Sequence, residues 1–237
     1  MSLTIQTPDG AFQCYVAQPA KPGKYPALVV LQEIFGVNAG IRSIADDYAA
    51  KGFIAIAPDL FWRAEPGLSM SEASEGDWAK GFALYSAFDF DKGVQDIAAT
   101  IKAARSHETG NGKVGVTGYC LGGLLTFLSA ARTDADAFVA YYGGATEKYL
   151  DEAPDIDGPM IYHLAGDDEY INKEAQADIK AALADKPNVT VYSYPAATTR
   201  SPAPAVTTIT RPMPHWPMAA PTSFSSTNLH SNIMTKG

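Results

Sequence analysis

Along the chain, short unbroken apolar runs alternate with segments in which apolar residues recur every three or four positions. The runs "YPALVVLQE" at 25–33, "FIAIAPDLF" at 53–61, "KVGVTGY" at 113–119, "AFVAYYGG" at 137–144, "PMIYHLAG" at 159–166 and "VTVYSYP" at 189–195 read as strands. Their lack of polar alternation marks strands covered on both faces. Between them, 39–51 reads as a helix closed by Gly52, and "LGGLLTFLSAAR" and 173–184 as two more. In "FDKGVQDIAATIKAARSH", Val94, Ile97, Ile101 and Ala104 fall on one helical face. The N-terminal "LTIQTPDGAFQCYVAQP" predicts a hairpin with Asp9-Gly10 as its turn signal, and residues 62–76 read as a long polar, irregular segment. Strand and helix in alternation predict an α/β protein, a mostly parallel central sheet with helices on both faces.

Composition narrows the function without naming it. At 237 residues the chain fits one α/β domain. A net charge of -8 argues against nucleic acid or an anionic membrane as partner. No stretch is long and apolar enough for a membrane span, and the N-terminus lacks the pattern of a secretory signal. Cys14 and Cys120, the two cysteines, give neither a disulfide framework nor a four-ligand metal set, so a reduced, cytoplasmic location is expected.

The chemistry concentrates at Gly118-Tyr119-Cys120-Leu121-Gly122-Gly123. A nucleophile flanked by glycines between a strand and a helix occupies a strained turn, and the glycines remove side chains that would collide there. The following helix is expected to lower the thiol's pKa, and the Leu121 N–H to help hold an oxyanion. Buried cysteines beside glycines also occur as plain packing, which is the reading for Cys14, inside a strand. Asp167 and Asp168 follow the run at 159–166, at the sheet edge where open α/β sheets bind ligands. Loop aspartates also serve as caps. Glu33, ending a central strand, is a costly site for charge unless partnered.

"LQEIFGVN", "GYCLGG", "GDDEYI" and "AFDFDKGVQDI" together resemble dienelactone hydrolases, the cysteine-using branch of the α/β-hydrolase fold, over residues 9–195. The resemblance implies Cys120 as nucleophile, Asp168 as triad acid, and Glu33 as the carboxylate paired with the thiol. It implies the N–H groups of Ile34 and Leu121 as oxyanion hole and Phe35 and Trp78 as substrate contacts. The implied reaction is cofactor-free hydrolysis of an enol-lactone, dienelactone to maleylacetate, in aromatic compound degradation, by a monomer acting on a small molecule. Trp78 stands near a position where members acting on dienelactone carry an arginine. An apolar plate there in place of a carboxylate clamp leaves a less charged lactone or ester open, or Trp78 simply packs.

The resemblance also requires a histidine shortly after the last strand, where this chain reads "YPAATTRSP". His107 precedes the nucleophile. His163 lies inside a strand and reads as packed or hydrogen-bonded, and His215 and His230 lie far into an unusual tail. From 196 to 237 there is no Asp or Glu, although 26 acidic residues precede, and Thr and Pro crowd the segment. Such composition ordinarily marks disorder. Read one base earlier, however, Thr198 to Thr208 permit x-His-Ala-Phe-Ala-Arg-Pro-Gly-Gly-Asp-His, with histidine at the position of Thr199. That string resembles the family's histidine segment. The expectation is one hydrolase domain over 1–195 and a frameshifted 196–237 in place of a final loop and helix. If the tail is genuine, the alternatives are a non-catalytic ligand-binding protein of the same fold or a redox-sensing thiol.

Overall fold

A computed structural model describes residues 1–195 and 197. The first two strands, β1 (Ser2–Thr7) and β2 (Gly10–Ala17), form the expected hairpin. Its turn is Pro8-Asp9, because Gly10 already pairs with Thr7 as the first residue of β2. The remaining strands are β3 (Tyr25–Leu31), β4 (Ile54–Pro58), β5 (Gly110–Tyr119), β6 (Ala137–Tyr141), β7 (Met160–Ala165) and β8 (Val189–Tyr194). They join one sheet in the order β1-β2-β4-β3-β5-β6-β7-β8. From β4 to β8 every pairing is parallel, and β2 meets β4 antiparallel.

The helices are α1 (Ala39–Ala50), α2 (Glu75–Ser86), α3 (Phe90–Arg105), α4 (Leu121–Arg132) and α5 (Lys173–Leu183), with a 3-10 segment at Thr146–Asp155. Side chains alternate along a strand, so β3 serves two layers. Ala27, Val29 and Leu31 join the core containing Val94, Ile97 and Ile101 of α3 and Leu124, Leu125 and Leu128 of α4. Leu28 and Val30 are equally buried but lie outside that core, as do Ile41, Ala45 and Tyr48 of α1. Strands β3, β4, β6 and β7 are thus covered on both faces and read as continuous apolar runs for that reason, whereas no residue of β8 is buried.

The apolar face of α3 is the one expected, and Asp89 caps it by accepting the Lys92 N–H. By contrast, α2 has no sequence counterpart above. Gly81 is its sole buried residue, so no apolar period announces it. Ser74 caps it, and Trp78 anchors it edge-on to Phe35 at 4.8 Å. The suspected replacement at 196–237 lies outside the described residues, save Ala197.

Candidate active site

Strand β5 ends on Tyr119 and α4 begins on Leu121, so Cys120 makes the whole turn. Its backbone sits at φ 53°, ψ -114°, a strained conformation for a non-glycine residue. The turn is held from both sides. The Cys120 N–H donates to the Tyr141 carbonyl at 3.1 Å, and the Cys120 carbonyl accepts from Gly123 at 2.9 Å and Leu124 at 3.2 Å. The glycines are compulsory here. A Cβ on Gly118 would lie 2.2 Å from the Gly122 carbonyl oxygen, and one on Gly122 would lie 2.6 Å from that of Leu31. The second contact shows how closely the start of α4 backs onto the end of β3, which brings the Glu33-Ile34 segment to the thiol.

The thiol's environment departs from the expectation of a lowered pKa. Burial, then the charge of Glu33, push the Cys120 thiol up to about 12; Asp168 adds to the rise, and the Leu121 N–H opposes it. Two carboxylates and partial desolvation outweigh the helix start. Both carboxylates therefore act on Cys120 although they come from different strands. Glu33 is itself pushed up to about 7, by burial and then by Glu72. Asp168 is half-buried on the loop after β7. Its Oδ1 accepts the N–H groups of Tyr170 at 2.8 Å and Ile171 at 3.0 Å, while burial raises its pKa. Its Oδ2 is buried with no hydrogen-bond partner among the described residues.

Glu33, Ile34 and Phe35 follow β3, Cys120 and Leu121 follow β5, and Asp168 follows β7, all at the carboxyl edge of one sheet. Ile34 and Phe35 are buried. Trp78 is half-buried, its indole N–H donating to the Glu72 carbonyl at 2.8 Å. Arg63 is bonded to Asp96 and Asp9, and Lys80 to Glu65.

Two histidines are accounted for without catalysis. Residue His163 is buried, shares a 2.9 Å hydrogen bond with the Tyr194 hydroxyl, and stacks on Tyr141 at 4.5 Å. Burial pushes its pKa down to about 4, so it is a neutral packing group. His107 precedes β5, at the opposite edge of the sheet, against the Thr109 hydroxyl. Thr199, His215 and His230 lie outside the described residues.

Neighbours that sequence reading missed are Tyr142, Tyr85 and Glu147. Tyr142 sits just past β6 at φ 38°, and burial, then Glu33 and Cys120, push its pKa up. Burial, then Cys120, Tyr149 and Glu147, push Tyr85 up to about 12. The available signal was strand order: β6 lies between β5 and β7, so the residue ending it must border the site.

A strained cysteine turn after a central parallel strand, with an aspartate after a later strand, defines a protein of the α/β-hydrolase fold. The sequence pattern of the dienelactone hydrolase family matches residues 12–199. A carboxymethylenebutenolidase of Pseudomonas putida is 38% identical over 193 residues, covering 81% of each chain. An Azospirillum brasilense protein provisionally given that name is 40% identical, over 79% of this chain and 80% of its own. A solved structure of a provisionally designated dienelactone hydrolase from Klebsiella pneumoniae superposes with a TM-score of 0.74 at 26% identity, over 84% of this chain and 85% of that one. The chain belongs to the dienelactone hydrolase family and is a hydrolase of that kind.

Proposed function

We propose that this hydrolase opens an enol-lactone or related activated ester, of the dienelactone-to-maleylacetate type, with Cys120 as nucleophile. The observation that carries the reading is the strained turn of Cys120, whose thiol feels both Glu33 and Asp168. The sulfur attacks the ester carbonyl and forms a C–S bond as the carbonyl electron pair moves to oxygen. The N–H groups of Ile34 and Leu121 receive that oxyanion. Glu33 is the nearby group able to take the thiol proton. Collapse expels the enolate oxygen and leaves a thioester, which water cleaves with help from a histidine oriented by Asp168. Phe35 and Trp78 supply apolar contact to the substrate. The enzyme works as a monomer on a small molecule in a reduced compartment, within aromatic compound degradation.

The histidine is proposed at the position now written Thr199, with 196–237 a frameshifted replacement of the final loop and helix and 1–195 the rest of one domain. Two observations support this: the family match ends at residue 199, and Asp168 Oδ2 is buried without a partner among the described residues. Sequencing the coding DNA across codons 190–237 tests the frame directly, and an unbroken frame encoding the present tail overturns it. The chemistry is tested by burst kinetics with 4-nitrophenyl acetate on the present chain and on a frame-restored chain. A stoichiometric burst that stalls in the first and turns over in the second is expected. No burst from either folded protein overturns the cysteine mechanism.

A further inference from the structure

The turn that carries Ile34 is tied at both of its ends to one neighbouring loop. At its start, the Gln32 side chain is fully buried and its Oε1 accepts the Leu60 N–H at 3.0 Å. At its finish, buried Asn38 donates from Nδ2 to the Met70 carbonyl at 3.2 Å, while its Oδ1 caps α1 by accepting the Ile41 N–H at 3.1 Å. Between them the Phe35 carbonyl accepts the Met70 N–H at 2.9 Å, and Gly36 bridges Ser69. The two segments run so close that a Cβ on Gly36, at φ 75°, would lie 2.3 Å from the Leu68 carbonyl oxygen. Residues 60–70 thus lie as a splint along 32–38.

A buried carboxylate closes the splint on itself. Asp59 follows β4, and its Oδ1 accepts the Phe61 N–H at 3.1 Å while its Oδ2 accepts the Gly67 N–H at 2.7 Å, drawing the ends of 59–67 together. Helix α2 presses on the same turn, since a Cβ on Gly81 would lie 2.9 Å from the Ile34 carbonyl oxygen. The Gln32 carbonyl oxygen stands 2.8 Å from where a Cβ on Gly122 would be, so the turn leaves the sheet against the first turn of α4, next to Cys120. Polar side chains are costly to bury, and Gln32 and Asn38 use theirs on backbone groups of this one loop. Capping α1 needs the Oδ1 of Asn38 alone. What the remaining ties fix is the backbone of 33–37.

We propose that Gln32 and Asn38 are positioning residues for ester cleavage, holding the Ile34 N–H where the carbonyl oxygen develops its charge. The inference rests on the thiol acylation and the oxyanion hole proposed above and deepens both. An oxyanion donor acts through its fixed aim. A turn released from its splint therefore loses transition-state stabilisation without losing the thiol.

Two reactions of the same thiol separate this role from a merely structural one. Acylation by 4-nitrophenyl acetate develops an oxyanion, whereas alkylation by iodoacetamide displaces iodide from carbon and develops none. Both are followed on the full chain at pH 9, the first as the nitrophenolate burst and the second as the mass of the Cys120 peptide. Asn38→Ser keeps an oxygen to cap α1 and loses the donor to Met70, and Gln32→Met keeps the bulk and loses the acceptor for Leu60. Each is expected to lower the ratio of acylation to alkylation about tenfold, with alkylation within about twofold of the native rate. Thr100→Val, which removes a buried hydroxyl from α3, is expected to leave the ratio unchanged. Asn38→Thr and Gln32→Leu replace a variant whose near-ultraviolet circular dichroism is not native. A ratio unchanged in both variants overturns the positioning role, and so does a parallel fall of both rates, the mark of a loosened site. A native chain that alkylates without an ester burst sinks the acylation reading and this inference with it.

Discussion

Replacing Glu33 by Gln should stabilise the protein at alkaline pH and slow its chemistry. The folded-state pKa of Glu33 is about 7, against an ordinary 4.5. At about 1.4 kcal/mol per pH unit, ionised Glu33 costs on the order of 3 kcal/mol. Its half-buried side reaches water, so the observable share is about 2 kcal/mol. The sign follows from proton binding. Below pH 4.5 the group is protonated whether folded or unfolded and contributes nothing. Between 4.5 and about 7 the folded chain binds more protons than the unfolded one, so stability falls as pH rises, and the loss is complete above 7. Glutamine never ionises. Urea unfolding of both proteins should give nearly equal free energies at pH 5 and a variant more stable by about 2 kcal/mol at pH 8.5. The same variant should lose the acylation burst by about a hundredfold, since it removes the group proposed to accept the thiol proton. An equal stability offset at both pH values, or a variant less stable at pH 8.5, would refute the placement of Glu33 as an uncompensated charge.

Further outcomes are expected. Gly123→Ala puts a Cβ 2.2 Å from the Tyr141 carbonyl oxygen, a backbone atom that cannot yield, and should cost about 3 kcal/mol or more. Gly144→Ala meets nothing within 4 Å and should leave the thermal midpoint nearly unchanged. Asp96→Ala leaves Arg63 and the Trp62 indole N–H without the fully buried carboxylate they share, at 2.5 and 2.9 Å, and should destabilise by about 3 kcal/mol or more in urea. Iodoacetamide labelling of Cys120, read by peptide mass, should rise about tenfold per pH unit from 7 to 9.5 without a plateau, because its pKa is about 12. Buried Cys14 should label only in urea, and a Cys120 plateau near pH 8 would contradict the carboxylate environment.

The central strands β3, β4, β6 and β7 were legible because they are buried on both faces, which leaves short uninterrupted apolar runs. The face of α3 was legible because one side of it alone enters the core. The α2 helix was not, since it is held by a Ser74 cap and ring contacts of Trp78, neither of which makes a period. Motif spacing pointed to Cys120 and to the Asp167-Asp168 pair, and the family resemblance to Glu33 and to Asp168 over Asp167, but neither indicated how burial would shift the thiol. The helix start suggested a lowered thiol pKa, and desolvation with two carboxylates reversed the sign. Tyr142 escaped because neighbours across a sheet follow strand order, in which β6 lies between β5 and β7, and Tyr85 and Glu147 escaped because they belong to α2 and the 3-10 segment, two elements without a sequence counterpart.

Asp168 is held on one side only. One of its oxygens is fully used by the N–H groups of Tyr170 and Ile171, which fix the carboxylate's orientation. The other is buried without a partner among the described residues, and a buried acceptor left unpaired costs about 1–3 kcal/mol. A carboxylate oriented so firmly and satisfied on one side alone calls for a donor on the other. An imidazole N–H from a residue shortly after β8 meets that need, and the same N–H is what orients a catalytic base toward a thiol. The unpaired oxygen of Asp168 and the permitted reading of the tail both support the histidine proposed at the position of Thr199.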